Sequence, residues 1–187
     1  MEAVRLQLRD FYGPEELARV YGRRYDHTLW GDHVLRVART AQILREMQPT
    51  SVADLSCGDA AIVAQAGLQD VAVLGDMVPG WPMCGPLERT IQEIAPVDVF
   101  VCSETLEHLQ DPDAALTAIR EKADRLLLST PAGETDDRNP EHYWGWDVED
   151  VDEMLAAAGW STRSYELLHG QSGVYSFQIW RCSKEVA

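Results

Sequence analysis

The feature that most constrains the fold of this chain is the alternation of short apolar strands with helical patterns from residue 51 onward. The strand segments read SVADL, VAVLG, PVDVFVC and DRLLLSTP, and helical patterns such as AAIVAQAG and DPDAALTAIREKA lie between strands. Such alternation predicts an α/β fold with a doubly wound, mostly parallel sheet and helices on both faces. Two closing stretches, STRSYELLHG and GVYSFQIWRC, are joined through GQSG and predict a C-terminal antiparallel hairpin.

The first 48 residues have a different pattern, which predicts two helices ahead of the sheet. GPEELARVYGRR places a proline in the first turn of one helix, and the second should run from about Asp32 to Met47, before Pro49. A chain of 187 residues is near the usual size of one domain. We therefore expect a single domain over residues 1–187, with a helical cap at 1–48 and the doubly wound core at 49–187.

Charge and hydropathy exclude several classes of protein. With 31 acidic and 16 basic side chains the net charge is −15, which disfavours duplex nucleic acid as a partner. No apolar run approaches the ~20 residues that span a bilayer, and MEAVRLQLRDFYG lacks the pattern of a signal peptide. The four cysteines are scattered without metal-binding spacing. We expect a cytoplasmic protein with reduced thiols and no membrane partner, and the sequence leaves its oligomeric state open.

A small-residue turn follows the first core strand and predicts a binding loop. In VADLSCGDA, Asp54 ends the strand, and Ser56, Gly58 and Ala60 follow at alternate positions. Ligands of open α/β sheets bind at the carboxyl ends of the strands, and small residues there allow backbone amides to approach them closely. An acid at the strand end suits a cation or a hydroxyl donor rather than a phosphate, which distinguishes this loop from a dinucleotide-binding turn.

This loop resembles the first motif of class I S-adenosylmethionine-dependent methyltransferases, an apolar strand followed by D/E-x-G-x-G-x-G. Ser56 and Ala60 replace two of the glycines but are also small. The resemblance covers roughly Ser51 to Trp180 and implies a Rossmann-like fold with a seven-stranded type of sheet and S-adenosylmethionine as cofactor. It implies that Asp54 lies near the methionine amine and Asp76 holds the ribose hydroxyls. By this resemblance the cofactor-binding residues are Asp54, Ser56, Cys57, Gly58, Asp76, Glu88 and Ser103.

The middle of the chain is shorter than in this superfamily. Only MVPGWPMCGPLERTIQEIAP, rich in proline and glycine, lies between the second core strand and the third. We therefore expect the helix of this region to be lost or reduced to a turn. The CGPLE stretch stands where the superfamily has its adenine-binding motif, which suggests adenine contacts from Leu87 or Glu88.

A cluster of acids and histidines forms a second candidate site. In CSETLEHL, Glu104, Glu107 and His108 have the i, i+3, i+4 spacing of one helical face, and His142 lies on a loop after a later strand. Carboxylates and imidazoles that converge could bind Mg²⁺ or Mn²⁺. The metal ligands would be Glu104, Glu107, His108 and His142. A metal-free pocket wall and a purely structural role remain alternatives.

The ExxEH…H pattern is similar to methyltransferases that modify the 3′-terminal 2′-hydroxyl of small RNAs, where two acids and two histidines bind a metal. A related LEH segment occurs in ubiquinone-pathway O-methyltransferases. The leading hypothesis is therefore an enzyme that O-methylates a small or nucleotide-like acceptor, with His108, His142 and Glu104 as catalytic residues. An RNA 3′-end 2′-O-methyltransferase and an inactive cofactor- or protein-binding module are the alternatives.

Aromatic residues near these motifs suggest where an acceptor would bind. Tyr143, Trp144 and Trp146 flank His142 and could form an aromatic substrate wall, with core packing as the alternative. Trp30 and His33 precede the core, and in this superfamily the N-terminal helices often cover the active site. Either residue could therefore touch cofactor or substrate, although a packing role is the simpler interpretation.

Overall fold

The structure, a computed structural model, describes residues 5–22, 26–133 and 139–184. The strands are β1 (Leu6–Gln7), β2 (Val52–Asp54), β3 (Ala72–Asp76), β4 (Met83–Cys84), β5 (Val97–Ser103), β6 (Ala123–Pro131), β7 (Trp144–Gly145), β8 (Trp160–His169) and β9 (Ser176–Lys184). The α-helices are α1 (Pro14–Val20), α2 (Gly31–Glu46), α3 (Ala61–Ala66), α4 (Leu87–Glu93), α5 (Pro112–Lys122) and α6 (Val148–Ala157). Short 3₁₀ turns lie at His27–Leu29, Gln69–Val71 and Leu106–His108.

The main sheet has seven strands in the order β4-β3-β2-β5-β6-β9-β8. The first five are parallel to one another, and β9 is antiparallel to both β6 and β8. A separate two-stranded sheet pairs β1 with β7. The expected doubly wound sheet with a C-terminal antiparallel hairpin is thus confirmed.

Helices cover both faces of the main sheet because the central strands are apolar on both sides. All three residues of β2 are buried, and most of β5 and β6 is also buried. One face packs against α4, α5 and α6, whose buried side chains include Ile91, Leu116 and Leu155. The other face packs against α2 and α3 through residues such as Leu44 and Val63. This two-sided burial is typical of parallel sheets.

The middle region contains more regular structure than the sequence led us to expect. A two-residue strand, β4, pairs with β3, and the seven-residue helix α4 follows it. The expectation that this helix would be lost or reduced to a turn is therefore wrong. Leu87, Thr90 and Ile91 share the buried face of α4, and packing of that face stabilises a helix whose prolines and short length gave only a weak sequence signal.

The topology places one crevice at the carboxyl edge of the sheet. From β2 the chain runs outward through β3 and β4, and it then crosses back to β5 on the other side of β2. Ligands of doubly wound folds bind at such a switch point, where the connections leave neighbouring strands in opposite directions. The loops after β2 and β5, which begin at Leu55 and Glu104, therefore flank the candidate site.

The N-terminal segment is tied to the loop that carries His142. The guanidinium of Arg9 donates hydrogen bonds to the backbone carbonyl oxygens of Asn139, Pro140 and His142, at 2.9, 2.6 and 2.9 Å. The antiparallel pairing of β1 with β7 holds the same two parts of the chain together. Strand pairing and the arginine together fix the path of residues 139–142 beside the crevice.

Two broader expectations concern membranes and cysteines. Within the described parts of the chain, each helix is too short or too polar to cross a membrane.

All four cysteines are free thiols, and three of them, Cys57, Cys102 and Cys182, are buried. Burial raises the pKa of these three thiols above the ordinary value, which keeps them protonated and unreactive.

Candidate active site

The loop after β2 keeps the backbone form that its small residues suggested. Gly58 and Ala60 both adopt left-handed conformations, with φ of 56° and 61°. Ala60 therefore occupies a conformation that favours glycine, and it is the N-cap residue immediately before α3. The backbone N–H of Cys57 donates to the carbonyl oxygen of Gly75 at 3.0 Å, which ties the loop to the end of β3.

Asp76 lies at the end of β3 and organises this loop. One carboxylate oxygen accepts from the N–H of Gly58 at 2.8 Å, and the other accepts from the N–H of Val78 at 2.9 Å. Each carboxylate oxygen can accept a second hydrogen bond. Asp76 can therefore hold the loop and still accept hydrogen bonds from a ligand's hydroxyls.

Two cavities lie side by side at the switch point. The first, of about 330 Å³, is lined by Leu17, Tyr21, Leu55, Ser56, Asp76, Met77, Pro86, Leu87, Glu88, Glu104, Thr105, His108, Leu109, Gln110, Glu141 and Tyr143. The second, of about 430 Å³, is lined by Trp30, His33, Arg36, Ser56, Gly58, Ser103, Glu104, His108, Pro131, Asn139, Pro140, Glu141, His142, Tyr175 and Phe177. Ser56, Glu104, His108 and Glu141 line both cavities, so a reaction between occupants of the two would take place beside them.

A buried arginine at this site was missed in the sequence analysis. Arg36, on α2, has 1% of its surface exposed and lines the second cavity. Its Nη1 donates to Ser103 Oγ at 2.6 Å, whereas its Nε has no hydrogen-bond partner among the described residues. An unpartnered donor on a buried charge is costly, so this Nε could donate to a ligand oxygen. The only sequence signal was a basic residue in the apolar stripe of α2.

Asp54 lies deeper than the two large cavities. It is 2% exposed and borders a cleft of about 20 Å³ together with Arg36, Ser56, Cys57 and Ser103, among other residues. Burial raises the pKa of the Asp54 carboxyl from 3.8 to about 7, while the backbone N–H of Ser56 and the charge of Arg36 act in the opposite direction. A positive group bound nearby would favour the ionised form.

Glu104 has a strained backbone at the end of β5. Its φ is 50°, one of three positive values at non-glycine positions in the described chain. Its Oε1 accepts from Ser129 Oγ at 3.0 Å and lies 3.9 Å from Arg36 Nε. Strain of this kind costs about 1–3 kcal/mol and often marks functional positions. Here it places the carboxylate in the wall that both cavities share.

Three of the four predicted metal ligands form a compact group. Potential ligand atoms of Glu107, His108 and His142 all lie within 4.8 Å of one another. Glu104 is not part of this group, because the helical turn that was expected to align it is a 3₁₀ turn that begins only at Leu106. A single ion bound at about 2 Å would hold its ligand atoms roughly 3–4 Å apart, so a small adjustment would bring these three residues around one ion.

Hydrogen bonds orient both imidazoles. His108 Nδ1 lies 2.9 Å from the carbonyl oxygen of Glu141, so this nitrogen carries the proton and Nε2 has a lone pair. The Asn139 amide donates to His142 Nε2 at 2.9 Å, and the N–H of Glu141 donates to Asn139 Oδ1, which fixes that amide's orientation. Burial, and then the neighbouring His142, lower the pKa of His108 to about 3. His108 is therefore neutral, the form that binds metals.

Glu107 fits a cation because one of its carboxylate oxygens has no partner. It is fully buried, and its Oε2 accepts from Thr130 Oγ1, which in turn accepts from the indole of Trp146. Its Oε1 has no hydrogen-bond partner among the described residues and lies 4.0 Å from His108 Nε2. Burial, followed by the charge of Glu104, raises the pKa of Glu107 to about 8. A bound proton or a divalent ion would both satisfy this site.

The other predicted residues are distributed around the same crevice. Glu88 lines the first cavity, Ser103 the second, and Cys57 only the small cleft beside Asp54. Of the three aromatic residues suggested as a substrate wall at 143–146, only Tyr143 lines one of these cavities. Tyr143 lines the first cavity, but the indole N–H of Trp144 donates to the Leu109 carbonyl and Trp146 is buried. Trp30 and His33 lie in the wall of the second cavity.

No family model matches the sequence, and no curated protein is similar to it in sequence. Solved structures are similar in fold. One is a Burkholderia thailandensis 1,6-didemethyltoxoflavin-N1-methyltransferase bound to that compound and S-adenosylhomocysteine, with 16% identity, a TM-score of 0.67 and coverage of 99% of this chain and 96% of that one. Another is the Synechocystis PCC 6803 magnesium protoporphyrin IX methyltransferase with bound S-adenosylhomocysteine. Its identity is 17%, its TM-score is 0.61, and the match covers 91% of this chain and 94% of that one. The N-methyltransferase NodS of Bradyrhizobium japonicum WM9 is a third, with 15% identity, a TM-score of 0.64, and coverage of 79% of this chain and 86% of that one. The chain therefore has the Rossmann-like fold of class I methyltransferases, as its first motif suggested.

Proposed function

We propose that this protein is an S-adenosylmethionine-dependent methyltransferase that methylates a hydroxyl on a small or nucleotide-like acceptor. The observation that carries the proposal is the pair of adjoining cavities at the switch point, with Ser56 and Glu104 in their common wall. One cavity adjoins Asp76 and the other adjoins the histidines, so a methyl donor and an acceptor can meet at this wall. The solved methyltransferases of this fold that contain S-adenosylhomocysteine support the choice of cofactor.

The first cavity fits the nucleoside part of the cofactor. Asp76 provides acceptor oxygens for two ribose hydroxyls, and Leu87 and Leu109 provide apolar surface for a flat adenine ring. Tyr21 covers the cavity from the segment that follows α1, and its hydroxyl lies 3.3 Å from His108 Nδ1. The predicted roles of Asp76 and Glu88 are compatible with this arrangement.

Arg36 and Asp54 fit the amino-acid end of the same cofactor. That end is a zwitterion, which requires a cation and an anion at close range. Both side chains border the small cleft beside Ser56, and the Arg36 Nε has no hydrogen-bond partner among the described residues. We assign the cofactor carboxylate to Arg36 and the ammonium to Asp54, directly or through water. The ammonium would also stabilise the ionised form of Asp54.

The chain's own residues would position the reactants and accept one proton. Bound S-adenosylmethionine supplies an electrophilic methyl group, which the acceptor oxygen takes as the carbon–sulfur bond breaks. Ser56 and Thr105, whose hydroxyls are 2.7 Å apart, shape the wall near that point. The hydroxyl proton passes to Glu104, or to the lone pair of His108 Nε2 when no metal occupies that nitrogen; both residues line the two cavities. Most of the acceleration would come from orientation of the two reactants.

A divalent metal is part of this proposal, since ligand atoms of Glu107, His108 and His142 lie close together, and His142 would exchange its hydrogen bond from Asn139 for the ion. An oxygen donor and two nitrogens suit Mn²⁺ and other transition ions better than Mg²⁺, which prefers oxygen. When bound, the ion would lower the pKa of an acceptor hydroxyl. Glu107→Gln should reduce Mn²⁺ affinity at least tenfold in calorimetry, with the exposed Glu121→Gln on α5 as the control. Equal Mn²⁺ binding by both variants would contradict this assignment.

An RNA 3′-end 2′-O-methyltransferase is a second candidate. The group of Glu107, His108 and His142 favours it, because the similar enzymes use acids and histidines to bind a metal. The net charge of −15 counts against it. Methylation of a short RNA that disappears when its 3′-terminal 2′-hydroxyl is removed would establish this candidate over the first.

Calorimetric binding of S-adenosylhomocysteine tests the main proposal. The wild-type protein should bind it with micromolar affinity. Asp76→Asn should bind at least about tenfold more weakly, because a charged acceptor for the ribose is lost. Asp70 is an exposed acid in the 3₁₀ turn before β3, so Asp70→Asn is the matched control and should bind like the wild type. Absence of binding to the wild-type protein would overturn the proposal and favour a module that does not use this cofactor.

A further inference from the structure

The second cavity has an aromatic wall whose residues come from distant parts of the chain, so no local sequence pattern indicated it. His33 comes from α2, and Tyr175 and Phe177 come from the end of the chain. Their rings form a continuous group, with centroids of His33 and Phe177 5.6 Å apart, His33 and Tyr175 6.1 Å apart, and Tyr175 and Phe177 6.2 Å apart. Trp30 extends this wall toward solvent, with 58% of its surface exposed.

Contacts between α2 and the hairpin hold this wall in place. The carboxylate of Asp32 accepts from the backbone N–H of Ser172 at 3.1 Å and also from its hydroxyl. At Gly170 a side chain would meet the Asp32 carboxylate and the Tyr175 carbonyl oxygen at 2.6 Å, so the turn lies directly against the start of α2. The aromatic residues from the two segments therefore face one cavity in a fixed arrangement.

Ring faces of this kind select flat ligands. Aromatic pairs prefer stacked or edge-to-face contacts, which a saturated ring of the same size cannot reproduce. The rings of Tyr175 and Phe177 are within 22° of parallel, and Trp30 leaves a large apolar surface at the mouth of the cavity. Glu104, His108 and His142 supply the polar part of the same lining. A flat ligand could therefore contact the rings while a hydroxyl on its edge reaches the polar residues.

We infer that the methyl acceptor is a planar aromatic compound that carries the reacting hydroxyl on its ring system, held by Trp30, His33 and Tyr175, with the buried Phe177 packed behind them. This inference rests on the proposed function and names its substrate class. In the reaction the aromatic hydroxyl loses its proton to the protein, its oxygen forms the bond to the methyl carbon, and the sulfonium becomes a neutral thioether.

The test compares two ligands with the same carbon skeleton, 2-naphthol and decahydro-2-naphthol, by calorimetry on the protein saturated with S-adenosylhomocysteine. We expect 2-naphthol to bind one site per chain, at least about tenfold more tightly than the saturated alcohol. Tyr175→Leu and Trp30→Leu should each weaken naphthol binding about three- to tenfold. Their affinity for S-adenosylhomocysteine should stay unchanged, because neither side chain lines the first cavity or the small cleft beside Asp54.

Tyr165→Leu is the matched control, since this partly exposed tyrosine lies on β8 and packs on Trp180, away from the lining of the cavity. It should bind naphthol like the wild type. Equal affinity for the two alcohols, absence of naphthol binding, or equal weakening by Tyr165→Leu would overturn the inference. A short RNA that binds the saturated protein more tightly than naphthol would overturn it in favour of a nucleic-acid acceptor. Saturation with S-adenosylhomocysteine is established first, so failure of the proposed function would be seen separately.

Discussion

At the scale of single residues, Arg36 is the side chain whose role depends most on tertiary structure. It lies in the apolar stripe of α2, is 1% exposed, and has an unpartnered Nε among the described residues. Its guanidinium also lies 5.6 Å from the centre of the Phe177 ring. Glu104 Oε1 lies 3.9 Å from this Nε, and under the proposed function the cofactor carboxylate would supply a second anionic partner.

Arg36→Met should therefore weaken binding of the amino-acid end of the cofactor without weakening binding of its nucleoside end. We expect binding of S-adenosylhomocysteine to weaken at least about tenfold, because its carboxylate loses a buried charged partner. Binding of 5′-methylthioadenosine, which has the same nucleoside but no amino-acid end, should stay within about twofold. The surface variant Arg39→Met, which breaks an ion pair with Glu166, is the control for α2. Equal losses for the two ligands would contradict the role assigned to Arg36.

Asp54 should make the stability of the ligand-free protein depend on pH. Burial raises its pKa from 3.8 to about 7 in the folded protein, so the folded state binds this proton more tightly than the unfolded state. Its contribution to the free energy of unfolding therefore falls as pH rises from about 4 to about 7 and is constant outside that window.

Thermal unfolding between pH 4 and pH 8 checks this expectation. The melting temperature of Asp54→Asn should fall less with rising pH than that of the wild type, because its amide does not titrate. Asp70→Asn should follow the wild-type curve, since that side chain is exposed. A parallel decline for the wild type and Asp54→Asn would show that Asp54 does not titrate in this window.

At the scale of secondary-structure elements, the close approach of β4 to β3 shapes the first cavity. A Cβ atom on Gly75 would lie 2.5 Å from the carbonyl oxygen of Met83 and 2.7 Å from its Cβ. Only glycine therefore allows β4 to pair with β3 at this point. The next residue is Asp76, and the chain continues from β4 into α4, which supplies Leu87 and Glu88 to the cavity.

Gly75→Ala should consequently reduce both stability and cofactor binding. We expect a loss of about 1–3 kcal/mol in the free energy of unfolding, typical of overpacking, and weaker binding of S-adenosylhomocysteine as β4 moves away. Chemical denaturation and calorimetry measure the two effects. Gly31→Ala at the start of α2 is the control, because a methyl group there meets no atom within 4 Å. Wild-type behaviour of Gly75→Ala in both measurements would show that the contact can relax.

At the scale of the whole molecule, the net charge is −15, and within the described cavity linings only Arg36 carries a permanent positive charge. Glu88, Glu104 and Glu141 line the first cavity, so acidic side chains outnumber Arg36 in the site. Long-range repulsion should keep polyanions away, while neutral and cationic small molecules can approach. This favours the small-molecule acceptor over RNA.

Fluorescence anisotropy with labelled oligonucleotides tests this expectation. At about 0.15 M salt, where the Debye length is about 8 Å, neither a 20-base-pair duplex nor a 20-nucleotide RNA should bind below about 100 µM. The same measurement is repeated with Mn²⁺. RNA binding that appears only with the ion would indicate a metal-dependent site, whereas weak binding under both conditions would indicate general electrostatic repulsion. Tight RNA binding that requires Mn²⁺ would support the second candidate function and would contradict the expectation from net charge.

The sequence by itself determined the class of fold and predicted where the candidate site lies. The alternation of apolar strand segments with helical patterns predicts the strands and helices. The small residues Ser56 and Gly58, which follow Asp54 at the end of a strand, predict a binding loop. Both signals are local in the sequence. The hairpin was predicted for the same reason. The cap over residues 1–48 and the roles of the individual site residues stay predictions.

Only the tertiary structure decided which distant side chains share the crevice. It brought Arg36 from α2 and Tyr175 from the hairpin to one cavity, and it left Glu104 outside the group formed by Glu107, His108 and His142. It also formed α4 by burial of one face, where propensity alone was weak. The physical reason is that backbone periodicity is encoded over a few residues, whereas long-range packing sets side-chain burial, pKa and neighbours.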